Sequence, residues 1–573
     1  MAVRVGLGPV FEADCLSTSR RWQVYAGRSL LVASVLLAIG LVWLNRYRDA
    51  RFLSFQDLAA AGSAMIRAIM GLELTLALAI VPAVTAGAIC QDKMRGGLTL
   101  MMVTDLSDAE IVLGRLVSRM VTVLGVIACG LPVLAILTAL GGVDPVEIAT
   151  GTMVIVGVAV LAVCLSLTFS VWATRPHEAL TATYAAFGVW LLTLLAWTSI
   201  FPVFPGRMNF LHYSNPFWLL GATDWEPKAA SPSLRFEFLI GSLVVSAMLT
   251  AHSIRQIRPV TLRQASRSAG NSRSRGAASA RWFVRFGMPQ VSMDSTPMLW
   301  REVYGRQTGS WGRAIWRLYG ALSVLFTILA VVHSSIAPGV SAFVVSIGLL
   351  LVTVHAATVL AEERSHGSLD VLLTTPLSTS SIVLGKWWGA FRPVPKIAVL
   401  AGFIALGASF AHSYFLPAFF YGTLTTALVL AYGALFTSMS LAIATRQPRL
   451  GRAVGLSVAA YLGITIIYPA LLISTTRVGP DDVLFLWVSP FFGMYIPMGW
   501  LCWFGGNGLL GGIVAMGFWV SLTAIAARSL RRATVRSFDR SLGRVSTTRH
   551  SARFPGQPRS LRPQSIPSNI VRP

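Results

Sequence analysis

Several stretches of this sequence run for the length of a membrane span without an Asp, Glu, Lys or Arg. Residues 340–361 form the clearest of them, and a helix needs about 20 apolar residues to cross the hydrocarbon core of a bilayer. Hydrophobic residues make up 54% of the chain and charged residues only 12%, whereas a soluble protein carries about 25% charged residues. The sequence therefore predicts an all-α polytopic membrane protein.

Reading such stretches along the chain predicts about twelve transmembrane helices. They begin near Leu30, Ile69, Met120, Ile148, Leu180, Phe238, Leu318, Val340, Ile397, Phe415, Ala453 and Leu509. The spans near Leu30, Phe238 and Leu318 and the one near Ile397 are the shortest. An error of one span would reverse the topology.

The chain also contains an internal repeat. Residues 89–115 align without a gap onto residues 360–386, at a constant offset of 271 residues. The recurring residues are Gly96, Leu98, Thr104, Leu106, Ser107, Ile111, Val112, Leu113 and Gly114, which return as Gly367, Leu369, Thr375, Leu377, Ser378, Ile382, Val383, Leu384 and Gly385. Polar and glycine positions are among them, and apolar composition alone does not repeat those.

Further matches extend the repeat over nearly each half of the chain. The same offset relates 173–175 to 444–446, both Ala-Thr-Arg, and 9–14 resembles 297–302. Because six spans is an even number, both copies would enter and leave the membrane on the same side. We expect two parallel six-helix repeats, each with an amphipathic entrance helix and a coupling helix. The predicted segments are a first six-span unit at 1–258, a basic Ser/Gly/Arg-rich cytosolic linker at 259–290, a second six-span unit at 291–532 and a basic disordered tail at 533–573.

The distribution of positive charge indicates the orientation. The net charge is +24, and most of the excess arginine lies in 255–317 and in the tail from 528. Polybasic loops stay in the cytosol, and moving each charge against the membrane potential costs about 2 kcal/mol per 100 mV. We expect a multi-pass protein of the cell (inner or cytoplasmic) membrane with both termini cytosolic, in contact with anionic membrane lipids and binding no nucleic acid. Arg46, Arg48 and Arg51 do not fit this orientation.

Two smaller features point the same way. The first residues lack the pattern of a secretory signal, so the N-terminus is expected to be retained. The five cysteines form no C-x-x-C pair and no metal-ligand spacing, which argues against a disulfide framework or a zinc site.

The best-matched repeated segment lies between the second and third predicted spans of each copy, on the cytosolic side. In the second copy Glu362, Glu363 and Arg364 precede Leu369, Leu372, Leu373 and Leu377. That spacing places the leucines on one helical face, and the Thr375-Pro376 step ends the helix. Such a helix either lies in the lipid headgroup region as an anchor or docks on a cytosolic partner.

This segment resembles a known family. The run EERSHGSLDVLLTTPLSTSSIVLGK, residues 362–386, is similar to the segment after the second span in type-two ABC exporter permeases. The opening PMLWRE, 297–302, likewise resembles the entrance helix of that family. The resemblance covers the second half and reaches the first through the repeat, where Gln91 and Asp92 replace the two glutamates and Asp105 replaces Pro376.

The resemblance implies that the segment is a coupling helix resting on a separately encoded ATPase. The coupling candidates are Glu362, Glu363, Arg364, Gly367, Leu369, Asp370, Leu372, Leu373 and Pro376 in the second copy, and Gln91, Asp92, Lys93, Gly96 and Leu98 in the first. The entrance-helix candidates are Pro297, Arg301 and Glu302. No site on this chain is expected to be catalytic or to bind a metal or cofactor.

The ATPase itself is expected on other chains. The sequence contains no G-x-x-x-x-G-K-[ST] phosphate loop, so ATP and magnesium are expected on partner ABC-type ATPase subunits, two of them for two coupling helices. The chain is then the permease of an ATP-driven transporter, in the exporter branch by resemblance, and not an enzyme. Nothing in the sequence identifies the cargo.

Three other classes stay open. Glu362-Glu363 near His355 suggests an intramembrane metalloprotease, but arginine follows the glutamates directly and no paired intramembrane histidine appears. Glu73 suggests a proton-driven carrier, although snorkelling to the membrane interface is its simpler interpretation. The third class is a non-transporting membrane component of a larger assembly.

Overall fold

A computed structural model describes most of the chain. It covers 8–20, 55–94, 96–139, 144–200, 213–225, 231–270, 297–302, 310–365, 377–411, 415–447, 450–469, 483–503 and 509–542, with scattered positions in 21–54 and 366–376 and residue 472. These residues are almost entirely helical, and no strand occurs among them. The helical class predicted from the apolar runs is confirmed.

Among the described residues, ten helices lie in the first part of the chain. In order they are α1 (Gly8–Ser19), α2 (Phe55–Thr85), α3 (Ala88–Met94), α4 (Gly97–Val103), α5 (Asp108–Ile127), α6 (Leu131–Ala139), α7 (Pro145–Trp172), α8 (Pro176–Ile200), α9 (Pro216–Trp225) and α10 (Pro232–Gly270). Proline at the first position of several of them fits a helix start, where its missing N–H has no intrahelical partner.

In the second part, the described residues form ten more helices. They are α11 (Pro297–Trp300), α12 (Ser310–Val332), α13 (Ala337–Ser365), α14 (Thr379–Phe391), α15 (Val394–Ala411), α16 (Phe415–Arg446), α17 (Leu450–Leu462), α18 (Val483–Leu486), α19 (Pro490–Trp503) and α20 (Leu509–Leu542). A π-helical turn, Gly463–Ile467, continues α17.

Ten helical stretches among the described residues are long and apolar enough to cross a membrane. Each coincides with one of the predicted spans. The span predicted near Leu30 falls where only scattered residues are described. The one near Leu180 corresponds to α8, a helix of 25 residues whose side chains are described only as far as residue 191. The protein is therefore a multi-pass membrane protein.

The two parts of the chain meet along two seams. In one seam α8 packs against α13, and in the other α17 packs against α2. Within the first part α7 packs along α2 and α10, and within the second part α16 packs along α13 and α20. A large apolar cluster centred on α13 and α16 also includes residues of α8, so the core of the second part reaches into the first, which has a large cluster of its own.

Two helices continue beyond the predicted unit boundaries. The helix α10 runs through Gly270, twelve residues past 258, and α20 runs through Leu542, ten residues past 532. The side chain of Gln264 explains part of the first extension, because its Nε2 donates to the Trp172 carbonyl at the end of α7. The remainder of the predicted linker and of the predicted tail lies outside the described residues.

Candidate coupling site

The predicted coupling segment of the first half consists of α3 and α4, two short helices that follow α2. Between them Gly96 has a positive φ of 74°, a conformation that a side chain disfavours and glycine adopts readily. This requirement explains why glycine stands here. After α4 the chain turns, and Ser107 begins α5 with a capping box: its side chain accepts from the Glu110 amide, while the Glu110 carboxylate accepts from the Ser107 amide. The repeated serine is thus a helix cap, and Ser378 caps α14 similarly.

The helix α4 has one buried and one exposed side. Leu98 is buried at 1% exposure, whereas Leu100 and Val103 are 71% and 80% exposed. Two large apolar side chains therefore stand out from a seven-residue helix at the end of the bundle where spans α2 and α5 terminate. Apolar surface of this kind is stabilised when a partner or a lipid surface covers it.

Ion pairs connect the coupling segment of the first half to the entrance helix and the next span. The Arg115 guanidinium, on α5, pairs with Asp14 of α1 at 2.8 Å and with Asp92 of α3 at 2.5 Å. Burial alone would raise the pKa of Asp14, but Arg119, a hydrogen bond from Ser118 and Arg115 together hold that pKa below its ordinary value. Asp14 is therefore an anion that ties α1 to α5.

The second half has the same kind of network. The Lys386 ammonium, on α14, pairs with Glu302 at 3.1 Å and with Glu363 at 2.6 Å. Lys386 is fully buried, and the exposed guanidinium of Arg301 adds a looser contact to Glu363 at 3.5 Å. The repeat offset relates Asp92 to Glu363 and Arg115 to Lys386. An acid of the entrance helix, a cation of the third span and an acid of the coupling segment therefore meet in both halves.

A second contact also recurs. The Lys93 ammonium donates to the carbonyls of Val171 and Ala173, the latter at 3.4 Å, where α7 ends. Arg364, at the offset position, donates to the Thr445 carbonyl at 3.0 Å, near the end of α16. A cation at a helix C-terminus satisfies carbonyls that have no intrahelical donor and complements the helix dipole.

One ion pair of the site crosses between the halves. Arg175, in the turn between α7 and α8, pairs with Glu362 of α13 at 3.1 Å. The offset relates Glu362 to Gln91, and a neutral amide cannot form this ion pair. The seam between α8 and α13 is thus closed by opposite charges, and its counterpart between α2 and α17 has a glutamine at the same place.

Several of the predicted coupling residues have partners within this chain. The side chains of Glu362 and Glu363 are only 10% and 12% exposed, and they pair with Arg175 and Lys386. Leu372 is likewise buried, in a cluster with Met298 and Ile382. Gly367, Leu369, Asp370, Leu373 and Pro376 lie outside the described residues.

Other contacts of the site were not predicted from the sequence. The ion pairs of the site involve Asp14, Arg115 and Lys386. None of these residues, taken alone in the sequence, indicates that it forms an ion pair. The offset could have found them, because it aligns a cation with a cation at Arg115 and Lys386. Gly385 also has a structural reason, since a Cβ there would lie 2.9 Å from Met298 Cγ of the entrance helix.

Glu73 does not reach an interface. Its side chain is 3% exposed and lies against Gly130, where α5 and α6 are separated by a turn. The snorkelling interpretation is therefore not supported. Over the described part of the chain, no three His, Cys, Asp or Glu side chains are grouped so that they could hold a metal ion.

No protein-family model matches this chain, and no curated protein matches it. The function is therefore inferred from the geometry of the site and from the sequence resemblance.

Proposed function

We propose that this chain is the permease subunit of an ATP-driven transporter of the ABC exporter type. Two six-span units are fused in one chain, and separately encoded ATPase subunits, one for each coupling segment, supply the energy. ATP and magnesium bind to those partners. The permease lies in the cell membrane with its basic linker and tail in the cytosol.

The exposed side of α4 is the observation that carries this proposal. Leu100 and Val103 offer an apolar contact of the size that anchors one protein on another, on a helix that is otherwise fixed to the bundle. A passive lipid anchor would expose similar residues. It would not need the ion pair from Asp92 to α5, or the hydrogen bonds from Lys93 to the end of α7 and to Gln264 of α10, that attach the same segment.

Those ion pairs form a mechanical connection. A force on α4 reaches α3, and from Asp92 it passes through Arg115 to α5 and α1, while Lys93 connects the same segment to the end of α7. A largely buried pair resists separation because each partner would lose its opposite charge where little water reaches it. Movement of the coupling segment is therefore transmitted to the spans.

The transport cycle then follows from a population shift. ATP-bound ATPases that bind one arrangement of the halves more tightly than another favour that arrangement, and hydrolysis reverses the preference. The shift can be no larger than the difference in binding free energy, so about 5.5 kcal/mol would be needed to move an equilibrium from 1:99 to 99:1. Two docked ATPases would share that requirement.

Affinity purification of the tagged full chain from native membranes tests the proposal. The wild-type chain is expected to retain a protein that hydrolyses ATP, and the double variant Leu100→Asp/Val103→Asp is expected to lose it. Leu262→Asp is the matched control, because Leu262 is also apolar and 63% exposed and lies on α10, outside the predicted coupling segment.

Two results would count against the proposal. A wild-type preparation that moves solute across reconstituted membranes without any ATP-hydrolysing partner would exclude it. Equal retention of the ATPase by the wild type and the double variant would remove α4 from the docking surface.

A further inference from the structure

A cavity of about 390 Å³ lies in the seam between α2 and α17, on one side of the molecule. Its walls are the facing sides of these two helices, and they are rich in small residues. On α2 and α3 they are Ala79, Ile80, Ala83, Val84, Gly87, Ala88 and Gln91, and on α17 Leu450, Gly451, Arg452, Val454, Gly455, Val458, Ala459 and Leu462. The helix α17 has 13 residues, about 20 Å at 1.5 Å per residue. The cavity lining therefore extends along most of α17, from Leu450 to Leu462.

The polar lining residues are confined to one end of this cavity. Gln91, Arg119, His177 and Arg452 line it there, next to the coupling segments, and the lining toward Ala79 and Leu462 is apolar. None of the described residues that line the cavity is acidic. The nearest acid of the ion-pair network, Asp14, lies 3.7 Å from Arg119 but has closer contacts with Arg115 and Ser118. The mouth therefore carries two guanidinium groups, each with other partners in the protein, and no acid among its described lining residues, and the interior is apolar.

The other seam is packed more closely at the corresponding described positions. The offset relates Gly455 to Tyr184 and Ala459 to Gly188. A Cβ added at Gly188 would lie 2.8 Å from Ile347 Cδ1 of α13, whereas a Cβ added at Gly455 would meet nothing within 4 Å. Small residues on α17 open one seam, and closer packing together with the Arg175–Glu362 ion pair closes the other.

We propose that this cavity binds an amphipathic anion. Its apolar chain lies between α2 and α17, and its carboxylate or phosphate lies at the mouth beside Arg119 and Arg452. A guanidinium suits both anions because its planar N–H groups match their oxygens. Gln91 adds an amide donor where the closed seam has an acid, and an acid there would repel the ligand. This inference rests on the proposed function, since it names the class of molecule that the permease carries.

Equilibrium binding to the purified full chain in phosphatidylcholine nanodiscs tests the proposal without any ATPase. The probe is dansyl-labelled dodecanoic acid, compared with its methyl ester and corrected for empty discs. The acid is expected to bind at least about tenfold more tightly than the ester, as one partly desolvated ion pair provides. Equal affinity for the acid and the ester would overturn the assignment of an anion.

Three variants separate the two parts of the ligand. Gly455→Leu fills the apolar part and is expected to weaken binding of acid and ester alike, whereas Gln91→Glu and Arg452→Gln are expected to weaken binding of the acid only. Gly241→Leu is the matched control, since its Cβ also meets nothing within 4 Å and it lies on α10, away from the cavity. If Gly455→Leu and Gly241→Leu bind the acid equally, the cavity is not the site.

A last comparison identifies the source of the anion. Phosphatidylglycerol added to the discs would compete with the acid if the natural ligand is a bilayer lipid, and it would not compete if the ligand is a soluble amphiphile. Both results support the site. Because binding is measured without nucleotide or partner, its failure leaves the co-purification result untouched, and the two proposals can fail separately.

Discussion

Replacing Lys386 with methionine removes the cation at the centre of the second ion-pair network. The ammonium is fully buried, 3.1 Å from Glu302 and 2.6 Å from Glu363. Methionine has a similar length and no charge, so the packing around α14 and the entrance helix is approximately kept. What changes is that two carboxylates remain close together with little water, and the exposed Arg301 lies near Glu363.

The magnitude follows from this burial. Leaving a buried charge without its partner costs about 3–5 kcal/mol of unfolding free energy. Removing all three charges, in Lys386→Met/Glu302→Gln/Glu363→Gln, is expected to recover most of that loss because no unpaired ion remains. In the first half Arg115 and Asp92 are 16% and 20% exposed, so Arg115→Met is expected to cost less, about 1–2 kcal/mol, because water still reaches Asp92 and the more buried Asp14 keeps its contact with Arg119.

Denaturant titration of the purified variants in mixed micelles measures these free energies, with tryptophan fluorescence as the signal. The unfolding free energy of Lys386→Met is expected to be lower than that of Arg115→Met. It is also expected to be lower than that of the triple variant. A loss below about 1 kcal/mol for Lys386→Met, the scale of an exposed ion pair, would show that the network is not a buried connection. A triple variant less stable than Lys386→Met would show that packing, not charge, sets the loss.

Three more predictions concern the ends of the spans. Gly96→Ala places a side chain at a φ of 74° and should cost about 1 kcal/mol, whereas Gly71→Ala, inside α2 with open space around it, should be neutral or stabilising in the same titration. Ser107→Ala removes the cap of α5 and should cost about 1 kcal/mol, with faster amide hydrogen exchange confined to the first turn; unchanged exchange there would contradict the cap. Arg175→Glu should loosen the closed seam and Glu362→Arg should restore it in the double variant, as measured by the yield of a crosslink between α8 and α13; a double variant no better than Arg175→Glu would argue against the pair.

The spans could be predicted from the sequence because the physics that determines them is local. A run such as 340–361 cannot be buried in water, and length alone decides that it crosses a bilayer. Ten predicted spans coincide with long apolar helices for this reason. Boundaries are less local. The helix α10 continues through a basic, Ser-rich sequence because Gln264 finds a carbonyl of α7, a contact 92 residues away in the chain.

The ion pairs show where sequence reasoning stops. Glu362 and Glu363 follow a long apolar run, and acids in that position are usually solvated. The sequence therefore favours contacts of these two acids with a partner. The structure pairs Glu363 with Lys386, which lies 23 residues further on and belongs to a different helix. No spacing rule identifies such a partner. Only the repeat, which keeps the sign of the charge at Arg115 and Lys386, carried information about it.

The cavity could not be predicted for a related reason. Small residues at Gly451, Gly455 and Ala459 look like an ordinary packing face, which usually brings two helices close together. Whether such a face closes or leaves space depends on the helix opposite, and α2 offers Ala79 and Ala83 there. Two small faces opposite each other leave a gap, and this becomes visible only when both are placed.

Sidedness labelling tests the central claim most directly, because the proposal requires both coupling segments on the cytosolic side. Single cysteines at Leu100, Thr374 and Asp144 in a cysteine-free chain would be exposed to a membrane-impermeant maleimide in intact cells. In intact cells we expect labelling of the cysteine at Asp144 alone. The cysteines at Leu100 and Thr374 are expected to be labelled only after the membrane is opened. Labelling of Leu100 or Thr374 in intact cells, or of one without the other, would contradict it.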